Sequence, residues 1–192
     1  MKDKTLLVFL LLTLGVGSVA MAESLKLLLD PESTAVRFTL GATLHTVEGS
    51  FALESGELVF DPETGEASGE IVVDIAAGDS GSAKRDRQMH DKILESGLYP
   101  SATFRPESFA GDYPSGSARL SGTLNFHGDD HAVEMPLTLA QDGDRLRATG
   151  TLEIPFVEWG LKDPSTFVLR VEKTVEVTIE VVGRPVAAES AS

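Results

Sequence analysis

The residues best suited to chemistry in this chain are its histidines, of which there are four. Two of them, His127 and His131, lie in the sequence HGDDH, close enough for both imidazoles to reach one metal ion together with Asp129 or Asp130. A hairpin turn whose acidic residues and glycine make the bend explains the same sequence without a metal. Because the chain has no cysteine, no thiolate is present to fix the geometry of a metal site. We therefore expect neither a metal nor a cofactor.

Arrangements that could carry catalysis are equally sparse. The chain contains no G-x-S-x-G nucleophile elbow, no cysteine nucleophile and no H-E-x-x-H motif. Carboxylate pairs such as Asp142 and Asp144 would need a cleft and a raised pKa to act in hydrolysis, and nothing in the sequence places them in one. We therefore expect a protein that is not an enzyme, with a metal-dependent hydrolase as the weakest of the alternatives.

The first 22 residues have the pattern of a secretory signal peptide. Lys2 and Lys4 begin it, residues 6–19 form its apolar core, and residues 20–22 read Ala-Met-Ala, an A-x-A cleavage site. We expect cleavage before Glu23, no stable membrane insertion afterwards, and a periplasmic or secreted bacterial protein. The lack of cysteine fits this better than a eukaryotic secretory route, in which small domains often carry disulfides.

The charge of the chain is strongly acidic. It has 16 Lys and Arg against 30 Asp and Glu residues, a formal net charge of −14. The predicted mature chain keeps 14 of the basic and 29 of the acidic residues, a net charge of −15. Such a charge argues against nucleic acid and against anionic membrane surfaces as main partners. The sequence leaves open whether the chain forms a homodimer.

Most of the predicted mature chain alternates apolar and polar residues with a period of two, as half-buried β-strands do. Turn-forming residues separate the runs, notably at 54–56, 127–130 and 142–144. The pattern predicts one antiparallel sandwich or barrel over residues 23–184, followed by a frayed tail at 185–192. The strands are predicted at residues 34–40, 46–53, 57–60, 69–75, 101–106, 118–126, 132–140, 145–154, 167–171 and 174–182.

One segment, residues 82–104, breaks the alternation. Met89, Ile93 and Leu94 recur there at helical spacing, Ser82 is a suitable N-cap, and Gly97 can end the helix. A helix inserted into a run of strands could lie across the mouth of a barrel. The one-sided apolar strands fit a packed sandwich core or a barrel interior that holds a small ligand, and periodicity alone does not distinguish the two.

Four blocks of sequence, in order, carry a resemblance to a known family. They are DPESTAVRF at 30–38, followed by Leu44-His45; residues 87–104, with Met89, Leu94 and Tyr99-Pro100; GTLNFHG at 122–128; and IPFVEWGL at 154–161. The chain resembles the YceI-like proteins, a secreted bacterial family that binds polyisoprenoids and other lipids in a lipocalin-like barrel. The resemblance covers residues 29–183. Trp159 stands where the family usually has phenylalanine.

The resemblance implies an all-β fold: a single antiparallel lipocalin-like β-barrel of about eight strands, with one main α-helix near its opening. It also implies that the barrel holds a long-chain isoprenoid or fatty lipid, for sequestration, transport or storage. A structural or stress-related β domain without a ligand is the alternative. The residues expected to line the tunnel are Phe38, Leu40, Phe51, Met89, Ile93, Leu94, Phe104, Leu120, Leu124, Phe126, Met135, Leu137, Leu152 and Trp159.

Three polar residues are candidates for the ligand head group: His45, Arg85 and Arg87. The resemblance places a histidine at position 45, and the two arginines lie at the start of the helix, where free amides also attract anions. His45 could equally hydrogen-bond backbone at its turn. The arginines could equally pair with nearby carboxylates on a solvated face.

Overall fold

The computed structural model describes residues 24–43 and 45–188. The predicted signal peptide, Leu44 and the last four residues of the predicted tail lie outside this part of the chain. Within it, no helix has the length and hydropathy needed to cross a lipid bilayer. The elements are β1 (Leu25–Leu28), β2 (Ala35–Leu40), β3 (Val47–Phe60), β4 (Ala67–Asp79), α1 (Ala83–Lys92), β5 (Ser101–Gly111), β6 (Gly116–Phe126), β7 (Asp129–Asp142), β8 (Arg145–Ile154), β9 (Val175–Gly183) and β10 (Val186–Ala187).

Strands β2 to β9 close into an eight-stranded antiparallel barrel, which confirms the predicted fold. Consecutive strands from β2 to β9 pair with each other, and β9 pairs back with β2. The long strand β3 pairs with β2 through its first half and with β1 through its second half. The two-residue strand β10 extends β1 and comes from the segment predicted as a tail. Closure leaves the eight barrel strands without a free edge, which stabilises an all-β fold of this size.

The period-two alternation of the sequence decides which side chains enter the barrel. On β6, the alternate residues from Ala118 to Phe126 are buried, and the residues between them face outward. Outward residues form cross-strand ion pairs, such as Arg119 Nε with Glu134 Oε1 at 2.9 Å. Inside, the ring of Phe38 lies over Gly49, its register partner on β3, where a side chain would collide with it.

Three details differ from the sequence predictions. The predicted turn at residues 54–56 is instead a register shift within the continuous strand β3, because a β-bulge absorbs the extra residue. The predicted strand at 167–171 lies in the connection between β8 and β9 and forms only an isolated bridge, from Val171 to Ala42. Helix α1 begins after Ser82 as predicted, although the Ser82 side chain makes no capping hydrogen bond.

Helix α1 also ends earlier than predicted, at Lys92 rather than near Gly97. Ile93 is its C-cap, and the chain then turns through Glu95, whose φ of 45° is left-handed. Backbone hydrogen bonds from Leu94 N to Met89 O and from Ser96 N to His90 O close this turn at 2.9 and 3.1 Å. The apolar residues Ile93 and Leu94 therefore reach the barrel from a tight turn rather than from a regular helix.

Candidate functional site

One end of the barrel carries its two longest connections, from β4 to β5 (residues 80–100, including α1) and from β8 to β9 (155–174). The connections from β2 to β3 (41–46) and from β6 to β7 (127–128) lie at the same end. The opposite end has only short connections, at 61–66, 112–115 and 143–144. We call the end formed by the first four connections the lid end. Binding residues are often found on connections that a rigid scaffold positions, so the lid end is the first place to look for a site.

A histidine anchors α1 to the barrel at this end. His90 Nε2 lies 2.9 Å from the Gly78 carbonyl oxygen at the end of β4, and its Nδ1 lies 3.0 Å from Ser96 Oγ in the turn after the helix. A neutral imidazole satisfies both contacts, because Nε2–H donates to the carbonyl and Nδ1 accepts from the hydroxyl. On the side facing the barrel, Met89 and Ile93 pack against the apolar core and Leu94 is buried.

The start of α1 is held by a second polar joint. Arg85 Nε donates to Ser80 Oγ at 2.8 Å, and Ser80 N donates to Asp86 Oδ1 at 2.9 Å. The hydrogen bonds from Ser80 hold the pKa of the Asp86 carboxyl below its ordinary value of 3.8. The guanidinium of Arg85 is therefore committed to this joint. The other two predicted head-group residues, Arg87 and His45, are exposed.

The hairpin between β6 and β7 brings two more histidines to the lid end. His127 and Gly128 form its two-residue turn with φ angles of 54° and 89°, the signs of a type I′ turn. The ring of Tyr99 packs over Gly128, where any side chain would meet it, and lies 4.1 Å from the His127 ring centroid. Glu95 Oε2 lies 3.2 Å from His127 Nε2 but without hydrogen-bond alignment.

The second histidine, His131, faces into the barrel. It is the register partner of the buried Leu124 and therefore shares its inward face. Its ring stacks on Trp159 with centroids 3.8 Å apart and an interplanar angle of 5°. His131 Nε2 is buried and has no hydrogen-bond partner. Such an orphaned polar atom is uncommon in a folded protein and asks for an explanation.

His127 and His131 do not converge on a common centre. His127 contacts Glu95 and Tyr99 on one side of the hairpin, and His131 stacks on Trp159 in the barrel mouth. Within residues 24–43 and 45–188, no group of three or more His, Cys, Asp or Glu side chains is placed to hold a metal ion. The two histidines thus serve separate contacts in this fold.

The carboxyls with shifted pKa values act as local caps. Hydrogen bonds from Thr64 lower the pKa of Asp61, and hydrogen bonds from Ser165 lower that of Asp163. Like Asp86, these groups stay ionised at neutral pH, whereas a general acid needs a raised pKa. Burial raises the pKa of Tyr113, which lies at the end opposite the lid. The arrangement at the lid end is therefore one of aromatic, apolar and hydrogen-bonding contacts.

The fourteen residues predicted to line a tunnel all lie in or against the barrel core. Thirteen belong to one continuous apolar cluster, and Phe38 joins it through Phe51, at a ring distance of 5.2 Å. Their burial divides them into two groups. Phe38, Leu94, Phe104, Leu120, Leu124, Phe126 and Met135 are buried, and Leu40, Phe51, Met89, Ile93, Leu137, Leu152 and Trp159 are partly exposed.

The partly exposed residues mark one wall of the barrel interior. Inward-facing side chains on β5 and β6 are buried, whereas β7, β8 and β9 carry both kinds. Met135, Leu139, Leu146, Ile154 and Val181 are buried there, and Val133, Leu137, Leu152, Val175, Val177 and Ile179 keep part of their surface accessible. Because a closed sheet hides inward side chains from the outside, this exposure indicates space within the barrel along that wall. Four of these accessible residues lie outside the predicted tunnel lining, although the alternation of β7 and β9 predicts that they face inward: Val133, Val175, Val177 and Ile179.

Solved structures share this architecture. The Burkholderia cenocepacia protein BcnA is 21% identical, with a TM-score of 0.67, over 80% of this chain and 98% of its own. A polyisoprenoid-binding domain from Saccharophagus degradans, implicated in plant cell wall breakdown, is 17% identical, with a TM-score of 0.57, over 85% of this chain and 98% of its own. The Campylobacter jejuni YceI protein is 14% identical, with a TM-score of 0.55, over 96% of this chain and 98% of its own.

At identities of 14–21%, the structural likeness shows that these proteins share the fold of this chain. No curated protein sequence matches the chain. The family is shown by the sequence itself, because the model of the YceI-like domain matches residues 28–183, nearly the whole of the part that the structure describes. The chain therefore belongs to the YceI-like family.

Proposed function

We propose that the barrel binds one long-chain apolar lipid, an isoprenoid or a fatty chain, and releases it reversibly. The observation that carries the proposal is the partial exposure of six inward-facing side chains on β7, β8 and β9: Val133, Leu137, Leu152, Val175, Val177 and Ile179. These side chains are aliphatic, and space lined by such residues favours an apolar guest over water. The Saccharophagus degradans neighbour, described as a polyisoprenoid-binding domain, supports the same class of ligand.

Apolar burial alone is sufficient for such a complex. Each buried methylene contributes about 0.8 kcal/mol, so a chain of ~20 carbons offers about 16 kcal/mol before the costs of association and ordering. A site of this kind needs few polar contacts. The lid end agrees with this, because among its described residues the inward-facing polar atom that lacks a hydrogen-bond partner is His131 Nε2.

We propose His131 as the polar contact for the lipid head group. It faces the interior next to Trp159, and its Nε2 is covered by neighbouring atoms without a hydrogen-bond partner. A hydroxyl or carboxyl group of a ligand would satisfy this atom once the covering side chains move aside. Arg85 is a poorer candidate than the sequence suggested, because Ser80 occupies its guanidinium. Arg87 and His45 stay predictions for head groups that extend beyond the barrel mouth.

We also propose that the protein is exported, because the sequence predicts a signal peptide. Sequencing of the N-terminus of the protein from a periplasmic or culture fraction is expected to begin at Glu23. A chain that keeps residues 1–22 in that fraction would contradict this part of the proposal.

Lipid binding can be followed through the single tryptophan of the chain, Trp159, which lies at the barrel mouth. Protein freed of lipid with organic solvent would be titrated with a long-chain isoprenoid alcohol and, separately, with a saturated fatty acid. We expect a saturable change in Trp159 emission that ends at one lipid per chain. A flat titration with both lipids, from protein whose circular dichroism shows an intact fold, would indicate a packed core and overturn the proposal.

A further inference from the structure

The connection between β8 and β9 holds two large apolar side chains in solvent. Phe167 is 100% exposed and Val168 is 79% exposed. They lie in a closed turn, in which Thr166 N donates to Leu169 O at 2.8 Å and Leu169 N donates to Thr166 Oγ1 at 3.0 Å. The turn points both side chains away from the core, although burying them would be favourable.

The base of this turn is fixed to the barrel. Thr43 N donates to Arg170 O at 2.9 Å, and Glu172 N donates to Gly41 O at 2.9 Å. Arg170 N also donates to Thr43 Oγ1 at 3.2 Å. The connection from β8 to β9 is therefore tied to that from β2 to β3, and the apolar turn is presented on a supported base at the lid end.

A third exposed apolar residue belongs to the same end. Leu98, in the connection after α1, is 74% exposed. Of the five large apolar side chains that are exposed in the described part of the chain, Leu98, Phe167 and Val168 thus lie at the lid end. The other two, Leu28 and Val186, lie on β1 and β10.

Charge is divided between the lid end and the rest of the barrel. Within the described residues, the lid-end connections hold seven of the 14 basic side chains but only six of the 27 acidic ones. The lid-end connections alone therefore have a net charge of +1, against −14 for the remaining described residues. Asp79, Asp129 and Asp130, on strand residues next to these connections, add three carboxylates at the same end. The connections that would meet a surface are therefore less acidic than the rest of the barrel.

The basic side chains of the two regions also differ in their partners. Outside the lid end, six of the seven form ion pairs with carboxylates in the structure. Among the described lid-end residues only Lys173 does so, 3.9 Å from Asp163, and Arg85 is bound to Ser80. Among the described residues, Lys84, Arg87, Lys92 and Lys162 form no ion pair within 4.0 Å, and Arg170 forms none at that distance but lies near enough to Asp163 to help lower its pKa.

We propose that the lid end docks on the surface of a lipid bilayer, with Phe167 and Val168 entering the interface. Aromatic and aliphatic side chains are favourable at the level of the lipid head groups, and basic side chains beside them meet lipid phosphates. Docking in this orientation points the barrel mouth at the membrane and the acidic body into solvent. The inference rests on the proposed lipid binding for its purpose, because it names the surface from which the lipid is taken.

The shape and charge of the lid end favour a bilayer over a protein partner. A protein interface has an apolar core of closely packed residues, whereas this end presents a two-residue apolar turn with dispersed basic groups. The acidic body would be repelled by an anionic surface, but salt screens that repulsion beyond a Debye length of about 8 Å. A protruding turn lets Phe167 and Val168 reach the membrane interface while the acidic body stays at a distance where salt screens its repulsion.

Flotation with vesicles of phosphatidylethanolamine and phosphatidylglycerol tests the proposal. We expect the wild-type mature chain to float with the vesicles and F167S/V168S to bind at least about tenfold more weakly, since two apolar side chains no longer leave water. The control is Leu28→Ser, which removes an apolar side chain that is 60% exposed but lies outside the lid end, and it should bind as wild type does. Wild-type protein that stays with the unbound fraction, or F167S/V168S that floats undiminished, would overturn docking.

The same variants separate docking from lipid binding. In the titration monitored by Trp159, both F167S/V168S and Leu28→Ser should take up lipid as wild type does. A wild-type chain that binds lipid but does not float would overturn docking and leave the proposed function intact. A wild-type chain that floats through Phe167 and Val168 but shows a flat titration would support docking and overturn the proposed function.

Discussion

Replacing Val177 by tryptophan should block the barrel without unfolding it. Val177 lies on β9, and its register partners are Phe38 on β2 and Leu152 on β8, which also face inward. It is partly exposed, so a larger side chain can extend into interior space instead of displacing neighbouring residues. Leu124, by contrast, is buried on the closely packed wall, where tryptophan would cost about 1–3 kcal/mol of unfolding free energy.

The expected loss of affinity follows from the volume that tryptophan takes from the ligand. The exchange adds roughly the volume of three methylenes to the interior. At about 0.8 kcal/mol for each ligand methylene displaced, the binding free energy weakens by about 2.4 kcal/mol. This corresponds to a dissociation constant that is about 60-fold higher.

The assay is the fluorescence titration with a long-chain isoprenoid alcohol, supported by lipid extraction and mass spectrometry because the variant adds a second tryptophan. Thr178→Trp is the matched control, since it places the same side chain on the outer face of the same strand. We expect control affinity equal to wild type and thermal stability of both variants within a few degrees of it. Equal affinity for Val177→Trp and Thr178→Trp would refute the interior wall as the ligand site. If Val177→Trp loses stability, Val177→Phe provides the same comparison with a smaller change.

Three further predictions concern single residues. His131→Phe keeps an aromatic ring against Trp159 but removes the polar atom, so it should weaken binding of an isoprenoid alcohol about tenfold and leave binding of the matching hydrocarbon unchanged in parallel titrations. Because hydrogen bonds lower the pKa of Asp86 below 3.8, its stabilisation is present above that pH and is lost as the pH falls through the folded-state value. Asp86→Asn should therefore show a flatter dependence of unfolding free energy on pH in acid denaturation, and an unchanged pH dependence would contradict the role of Ser80. Phe60 is 2% exposed between Phe109 and Tyr113, so Phe60→Ala should cost about 3–5 kcal/mol in urea unfolding, and a loss below about 1 kcal/mol would contradict the packing.

The strands of the barrel could be predicted because burial on one face repeats with the period of the backbone. The alternation on β8 located that strand to the residue, at 145–154. The same reasoning failed at Phe167, where an apolar run looks the same whether it pairs in a sheet or forms an exposed turn. It also divided β3 at residues 54–56, because turn-forming residues within a strand can mark a bulge as well as a turn.

The site was harder to predict than the fold, because it depends on contacts between distant segments. His131 lies 28 residues before Trp159 in the sequence, and only the packing of the β6–β7 hairpin against the β8–β9 connection stacks their rings. The alternation of β7 does place His131 on the inward face with Met135, a signal that the HGDDH motif obscured. The role of Arg85 could not be predicted, since its partner Ser80 becomes available only when β4 ends where it does.

The central claim, that the barrel holds a long-chain lipid, is tested most directly by native mass spectrometry of the protein isolated from cells. The spectrum would be recorded before and after extraction with organic solvent. We predict a mass above that of the polypeptide by one long-chain lipid, which extraction removes and which returns when the extracted lipid is added back. A mass equal to that of the polypeptide before extraction, with no uptake of isoprenoid or fatty lipid afterwards, would contradict the claim.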